Sequence, residues 1–149
     1  MNCKPIGRVE SPVKEGVDAG WGEVISEIHI DKEFADGLMG MESFSHILVI
    51  FDMHQSTWSP SNDLVRRPQG RADMPCIGIF AQRAKHRPNP IGITSVRLLG
   101  VEEGLVRVQG LDAIDGTPVL DIKPYFPQYD KVVDSHTPEW VDSLMSGYF

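Results

Sequence analysis

Three short stretches of this sequence gather the residue types that bind and orient polar ligands. The longest, residues 78–92, reads Gly-Ile-Phe-Ala-Gln-Arg-Ala-Lys-His-Arg-Pro-Asn-Pro-Ile-Gly. Arg83, Lys85, Arg87 and Asn89 supply donors, while Pro88 and Pro90 fix φ and push Arg87 and Asn89 toward extended geometry. A loop stiffened in this way meets a ligand with little further loss of conformational freedom. Gly78 and Gly92 at its two roots allow a close backbone approach. Composition alone equally allows a rigid connector between strands that carries solvated charges.

The second stretch, residues 111–125, reads Leu-Asp-Ala-Ile-Asp-Gly-Thr-Pro-Val-Leu-Asp-Ile-Lys-Pro-Tyr. Asp112 and Asp115 are acceptors suited to a ribose or an amine. Asp115-Gly116 is also a turn dipeptide, after which Pro118 restarts the chain as a strand. Asp121 and Lys123 stand two residues apart, hence on one side of a strand, where they equally make a surface pair. The third stretch is Met53-His54-Gln55, where the apolar run from Ile47 ends, and a lone histidine there is as readily structural as functional. The five histidines show no metal-ligand spacing and Cys3 and Cys76 stand alone, so no metal is expected. No GxSxG, Cys–His signature or Walker-type loop appears, which leaves hydrolase and phosphate-loop chemistry without support.

Strands must position these stretches. Ile6-Gly7-Arg8-Val9 opens the chain and residues 23–30 form a second, partly alternating strand. The run His46-Ile47-Leu48-Val49-Ile50-Phe51 is continuous and apolar, which predicts burial on both faces. Residues 77–80 and 91–99 follow, and Glu103-Gly104 turns the chain into Leu105-Val106-Arg107-Val108. Residues 118–122 make the last strand. Helices are few: a turn capped by Asp31 that runs through Phe34 and Leu38, and a C-terminal helix over about residues 138–146 that starts at Thr137-Pro138-Glu139. Strands without long intervening helices predict a mainly β, barrel-like bent sheet, antiparallel or mixed. A GxGxxG after the first strand is missing, so the fold is non-Rossmann.

The 149 residues fit one domain, 1–149, with a core over about residues 6–129. No run approaches the ~20 apolar residues of a membrane span, and no signal region follows Met1, so a cytoplasmic protein is expected. The net charge of -7 argues against binding nucleic acid with the whole surface. Yet eight of the 14 Lys and Arg residues fall between Arg66 and Arg107, where the only acids are Asp73, Glu102 and Glu103. Such a strip steers an anionic substrate to one site, or else balances neighbouring acids.

Together these segments resemble the TsaA-like family, which includes the TrmO-type tRNA adenine-N6 methyltransferases. The resemblance is carried by Ile6-Gly7 with Ser11-Pro12, Gly40-Met41-Glu42-Ser43-Phe44-Ser45-His46, Phe51 with His54-Gln55, Arg66-Arg67-Pro68, and residues 78–92 and 111–125. It implies a β-barrel-like fold, a homodimer, an S-adenosylmethionine pocket near the dimer interface, and methylation of threonylcarbamoyl-adenosine beside the anticodon of tRNA. By motif, His54, Gln55, Arg83, Ser95, Asp112, Ala113, Ile114, Asp115 and Gly116 would line the cofactor pocket, with Arg87 and Asn89 shaping it or facing the substrate. Arg66, Arg67, Arg71, Lys85 and Lys123 would contact tRNA, and Asp115 or Asp121 would take the proton. The alternatives are a same-fold methyltransferase for a small molecule or protein, and a non-catalytic cofactor-binding dimer. The sequence departs from the family in three places. Residues 13–21 lack the usual Pro-Arg-Gln element, Ala81-Gln82-Arg83-Ala84 replaces Ala-Thr-Arg-Ser, and one helix stands where longer members have a C-terminal domain.

Overall fold

A computed structural model describes residues 2–149. Its strands are β1 (Gly7–Glu10), β2 (Ile25–Ile30), β3 (His46–Asp52), β4 (Val65–Arg66), β5 (Ile77–Gly78), β6 (Ile91–Glu102), β7 (Leu105–Gln109) and β8 (Pro118–Pro124). Six of them close into a barrel in the order β1-β2-β7-β6-β3-β8, and β8 pairs back onto β1. Every pairing is antiparallel. The barrel-like β expectation holds, as a fully closed antiparallel barrel.

Alternation builds it. In β2, Ser26, Ile28 and Ile30 point inward; in β7, Val106 and Val108 do. These meet Val9, Ile47, Val49, Phe51, Val96 and Val119 in one core cluster. At roughly 25 cal/mol per Å² of apolar surface removed from water, such residues dominate the stability of the fold. The expectation that both faces of β3 are buried needs correction. Ile47, Val49 and Phe51 are buried, whereas Leu48, Ile50 and Asp52 are only half-buried on the outer face. A barrel of only six strands has its interior filled by side chains, so a ligand must bind outside it.

Two bulges bend the walls. β6 pairs with β3 through residues 91–97 and with β7 through residues 97–102, with an irregularity between Leu98 and Gly100. The β3–β8 register shifts between Ile50 and Phe51. The strand expected over residues 77–80 ends after Gly78 and tightens into a 3-10 turn, Ile79–Ala81. Its partner β4 has two residues, too few to show a period. The Asp31 turn is a 3-10 helix, Lys32–Leu38, without a side-chain cap. Short helices α1 (Pro60–Asp63) and α2 (Pro127–Asp130) join α3 (Glu139–Met145), which matches the expected C-terminal helix. Among the described residues no helix is long and apolar enough to cross a membrane.

Candidate binding cleft

A cleft of about 1290 Å³ lies against the outer face of β6, where Ile91, Ile93 and Ser95 point away from the core. It is larger than the ~300–1,000 Å³ typical of small-molecule sites, with room for a ligand and part of a second substrate. Both chemistry-bearing stretches converge on it. Arg83, Lys85, Arg87 and Asn89 of the 78–92 loop form one wall, and Asp112, Ala113 and Ile114 line another. His54, Gln55, Ser95, Arg66 and Arg67 also face it.

The loop is tied down from within and without. Arg87 donates to the Gln82 carbonyl at 3.2 Å. Ser56 Oγ donates to the Lys85 carbonyl at 2.5 Å, and His86 Nδ1 donates to the Thr57 carbonyl at 2.7 Å. Arg83 donates to the Ile93 carbonyl, holding its exposed guanidinium along β6. Gln82 Nε2 bridges the carbonyls of Arg66 at 2.9 Å and Ile77 at 3.0 Å, which fixes β4, β5 and the loop together. Gln82 Oε1 and Arg66 Nε are buried without partners, leaving an acceptor and a donor unsatisfied in two cleft residues. At the root of the loop, a Cβ on Gly92 would sit 2.4 Å from the buried Phe51 ring, so only glycine fits. Gly78 has no comparable neighbour.

The opposite wall centres on Asp112. Thr94 Oγ1 donates to one of its carboxylate oxygens, and the Tyr148 hydroxyl donates to the other at 2.7 Å. Burial and the adjacent Asp112 charge hold the Tyr148 phenol far above the ordinary tyrosine range, so it remains a donor. Tyr148 reaches this position because the tail pairs with the 20–21 backbone. The Gly20 amide donates to the Gly147 carbonyl at 2.9 Å, and the Trp21 amide donates to the Tyr148 carbonyl at 2.8 Å. Trp21 is buried beneath, and Val17 and Asp18 join the lining.

Five of the expected site residues stand elsewhere. Asp115 accepts from the Ser11 amide at 3.0 Å and pairs with Lys14 at 2.9 Å. Lys14 and that amide hold its carboxyl below the usual range. Asp115 and Gly116 therefore pin the 8–14 segment, with the Gly116 amide on the Val9 carbonyl at 2.8 Å. Asp121 and Lys123 pair at 2.8 Å along β8, and neither lines the cleft. Arg71 is engaged by Asp73 at 2.6 Å and by the α3 residue Ser143. The two carboxylates expected to take a proton are thus already paired with ammonium groups outside the cleft, and the carboxylates the fold delivers into it are Asp112 and Asp18. The residues that sequence reasoning missed are Asp18, Trp21, Phe80, Thr94 and Tyr148. Phe80 lies within the 78–92 stretch, whereas Asp18, Trp21, Thr94 and Tyr148 carry no local motif and tertiary pairing alone brings them in.

Glu10, Glu27 and His29 bring their ligand atoms within 4.8 Å of one another on the outside of β1 and β2, a grouping that linear spacing does not reveal. Glu10 and Glu27 are cross-strand partners, and Arg107, opposite Glu27 on β7, binds it at 2.8 Å. The group reads as an exposed cross-strand charge ladder.

Residues 11–131 match the family model described as tRNA-methyltransferase O N-terminal domain. A probable S-adenosyl-L-methionine-binding protein of Methanothermobacter thermautotrophicus is 42% identical over 136 residues, covering 89% of this chain and 95% of that protein. The mouse tRNA (adenine(37)-N6)-methyltransferase is 46% identical over 93 residues, 62% of this chain but 21% of the mouse protein. A crystal structure of TrmO from P. aeruginosa superposes with a TM-score of 0.76 at 33% identity, covering 94% of this chain and 61% of that one. The chain thus spans about three fifths of that structure and nearly all of the archaeal relative. Matched over most of its length by sequence and by fold, this chain belongs to the family of TrmO N-terminal domains.

Proposed function

We propose that this protein binds S-adenosylmethionine in the β6 cleft and transfers its methyl group to N6 of threonylcarbamoyl-adenosine beside the anticodon of tRNA. The observation that carries the reading is the convergence of the 78–92 and 111–125 stretches on one cleft within a chain of this family. The residues present fit the cofactor chemically. Arg83 and Arg87 offer donors for a carboxylate, Asp112 and Asp18 acceptors for an ammonium or ribose, and Phe80 and Tyr148 aromatic surface. S-adenosylmethionine supplies a methyl group already activated on a sulfonium, so the chain's own work is positioning and electrostatics. His54, Gln55, Asn89 and Ser95 complete the polar lining, and Arg66, Arg67 and Lys85 at the same cleft suit phosphate oxygens. The same reading makes the protein a cytoplasmic homodimer.

Two features favour a second reading, cofactor binding without action on tRNA: the net charge of -7 and the archaeal relative named only for binding S-adenosyl-L-methionine. One experiment separates them. The purified protein is incubated with S-adenosylmethionine and bulk tRNA, and digested nucleosides are read by mass spectrometry. A gain of one methyl on threonylcarbamoyl-adenosine is expected. Saturable cofactor binding by calorimetry without any methylated nucleoside would establish the second reading instead.

A further inference from the structure

We propose that Tyr148 is a positioning residue of the cleft, clamping Asp112 together with Thr94 so that the carboxylate receives the amino group of the bound ligand. Tyr148 lies beyond the residues 11–131 that match the family, whereas Thr94 and Asp112 lie within them. The inference rests on the cleft taking S-adenosylmethionine.

The tail is built to deliver this one side chain. In α3 Trp140, Val141 and Leu144 are half-buried and Arg71 bonds Ser143, which seats the helix. Beyond the helix, the tail is held by its backbone pairing to Gly20 and Trp21 and by the close seating of Phe149 on Gly22. A Cβ at Gly22 would stand 2.6 Å from the Phe149 carbonyl carbon, so only a bare Cα admits the tail here. The Phe149 ring meets the Tyr148 ring edge-on at a centroid distance of 4.9 Å and braces it. Tyr148 then spends its hydroxyl on Asp112 at 2.7 Å, while Thr94 donates to the other oxygen.

A carboxylate with one fixed donor on each oxygen cannot rotate, yet each oxygen keeps a further lone pair for the ligand. Asp18 lines the same cleft, so two acids face a common space, which favours a cationic group. In S-adenosylmethionine the ammonium of the amino-acid part is a cation that also donates hydrogen bonds. Preorganisation of its acceptor raises affinity without any direct contact from Tyr148 itself.

The test compares S-adenosylmethionine with 5′-methylthioadenosine, which keeps the nucleoside but lacks the amino-acid group. Calorimetric titrations are run on the wild type, on Tyr148→Phe, which keeps the ring, and on Thr94→Val, which keeps the shape. Each variant is expected to bind S-adenosylmethionine about three- to tenfold more weakly, the cost of ordering one freed side chain on binding. Affinity for 5′-methylthioadenosine is expected to change less than about twofold, since an unclamped Asp112 affects only the amino-group contact. Equal losses on both ligands would mean that Tyr148 merely walls the cleft and would overturn the proposal, as would unchanged S-adenosylmethionine affinity in Tyr148→Phe. A wild-type protein that binds neither ligand removes the cofactor reading itself, and this inference with it.

Discussion

Two arginines of the same basic stretch have opposite surroundings. Arg83 has no carboxylate partner among the described residues; it leans on the Ile93 carbonyl and lines the cleft. Arg71 is held at 2.6 Å by Asp73, which raises its already high pKa and lowers that of the acid. An arginine with an uncommitted charge can serve a ligand; one already paired in solvent contributes little to anything else. Arg83→Ala is therefore expected to weaken S-adenosylmethionine binding about tenfold or more, and Arg71→Ala by less than about threefold. Equal losses in calorimetry would mean that the cofactor does not sit along β6. The sequence presents these residues as equivalent members of one strip. It likewise presents Asp112, Asp115 and Asp121 as acids of one stretch. Asp121 is marked locally by Lys123, but the difference between the other two lies in partners far away along the chain: Thr94 and Tyr148 for Asp112, Lys14 and the Ser11 amide for Asp115. Nothing local marks which of those two turns toward the cleft.

Elements were far more legible than partners. Period-two burial in β7 follows from its apolar alternation, β2 follows it in part, and the turn at Glu103-Gly104 separates β6 from β7 as expected; in β6 the apolar Ile91 and Ile93 face outward while Gly92 and Thr94 are buried, so its burial is not legible from hydrophobicity. The two-residue strands β4 and β5 and the docking of the tail have no such signal, since each depends on contacts across more than ten residues. The cleft wall depends on one element junction in particular. Gly92 opens β6 beneath the loop, and the Phe51 ring fills the space where its side chain would be. Because Phe51 is itself only 3% exposed, that ring has nowhere to swing. Gly92→Ala is expected to destabilise the fold by about 1–3 kcal/mol through overpacking. Gly37→Ala is the control. It sits in the 3-10 helix with nothing within 4 Å of a new Cβ, and its expected effect is neutral or slightly stabilising. Urea melts of both variants against the wild type decide the point; a Gly92→Ala protein as stable as Gly37→Ala would show that the loop root yields.

At the scale of the whole molecule, one exposed apolar patch borders the cleft, while others, such as Tyr129, Val132 and Val133, lie away from it. Phe80 is 77% exposed and Val65 59%; Val65 pairs with Gly78, and Phe80 stands in the 3-10 turn that follows Gly78. Ile91 and Ile93 continue the patch onto the outer face of β6 and, with Phe80, line the cleft. A barrel of this size gains nothing by leaving a large aromatic ring in water beside a binding site, and patches of this kind mark surfaces that meet a partner. A second copy of the chain seated over Phe80 and Val65 would cover them and complete the cleft from its open side. Sedimentation equilibrium at micromolar concentration is expected to give twice the mass of one 16.6 kDa chain. Replacing Phe80 and Val65 together by Ser should shift the protein to monomer, and S-adenosylmethionine affinity should fall in parallel. A wild-type monomer under these conditions would remove the shared-cleft arrangement. A double variant that becomes monomeric yet binds the cofactor as tightly as before would separate assembly from binding and leave the cleft to one chain.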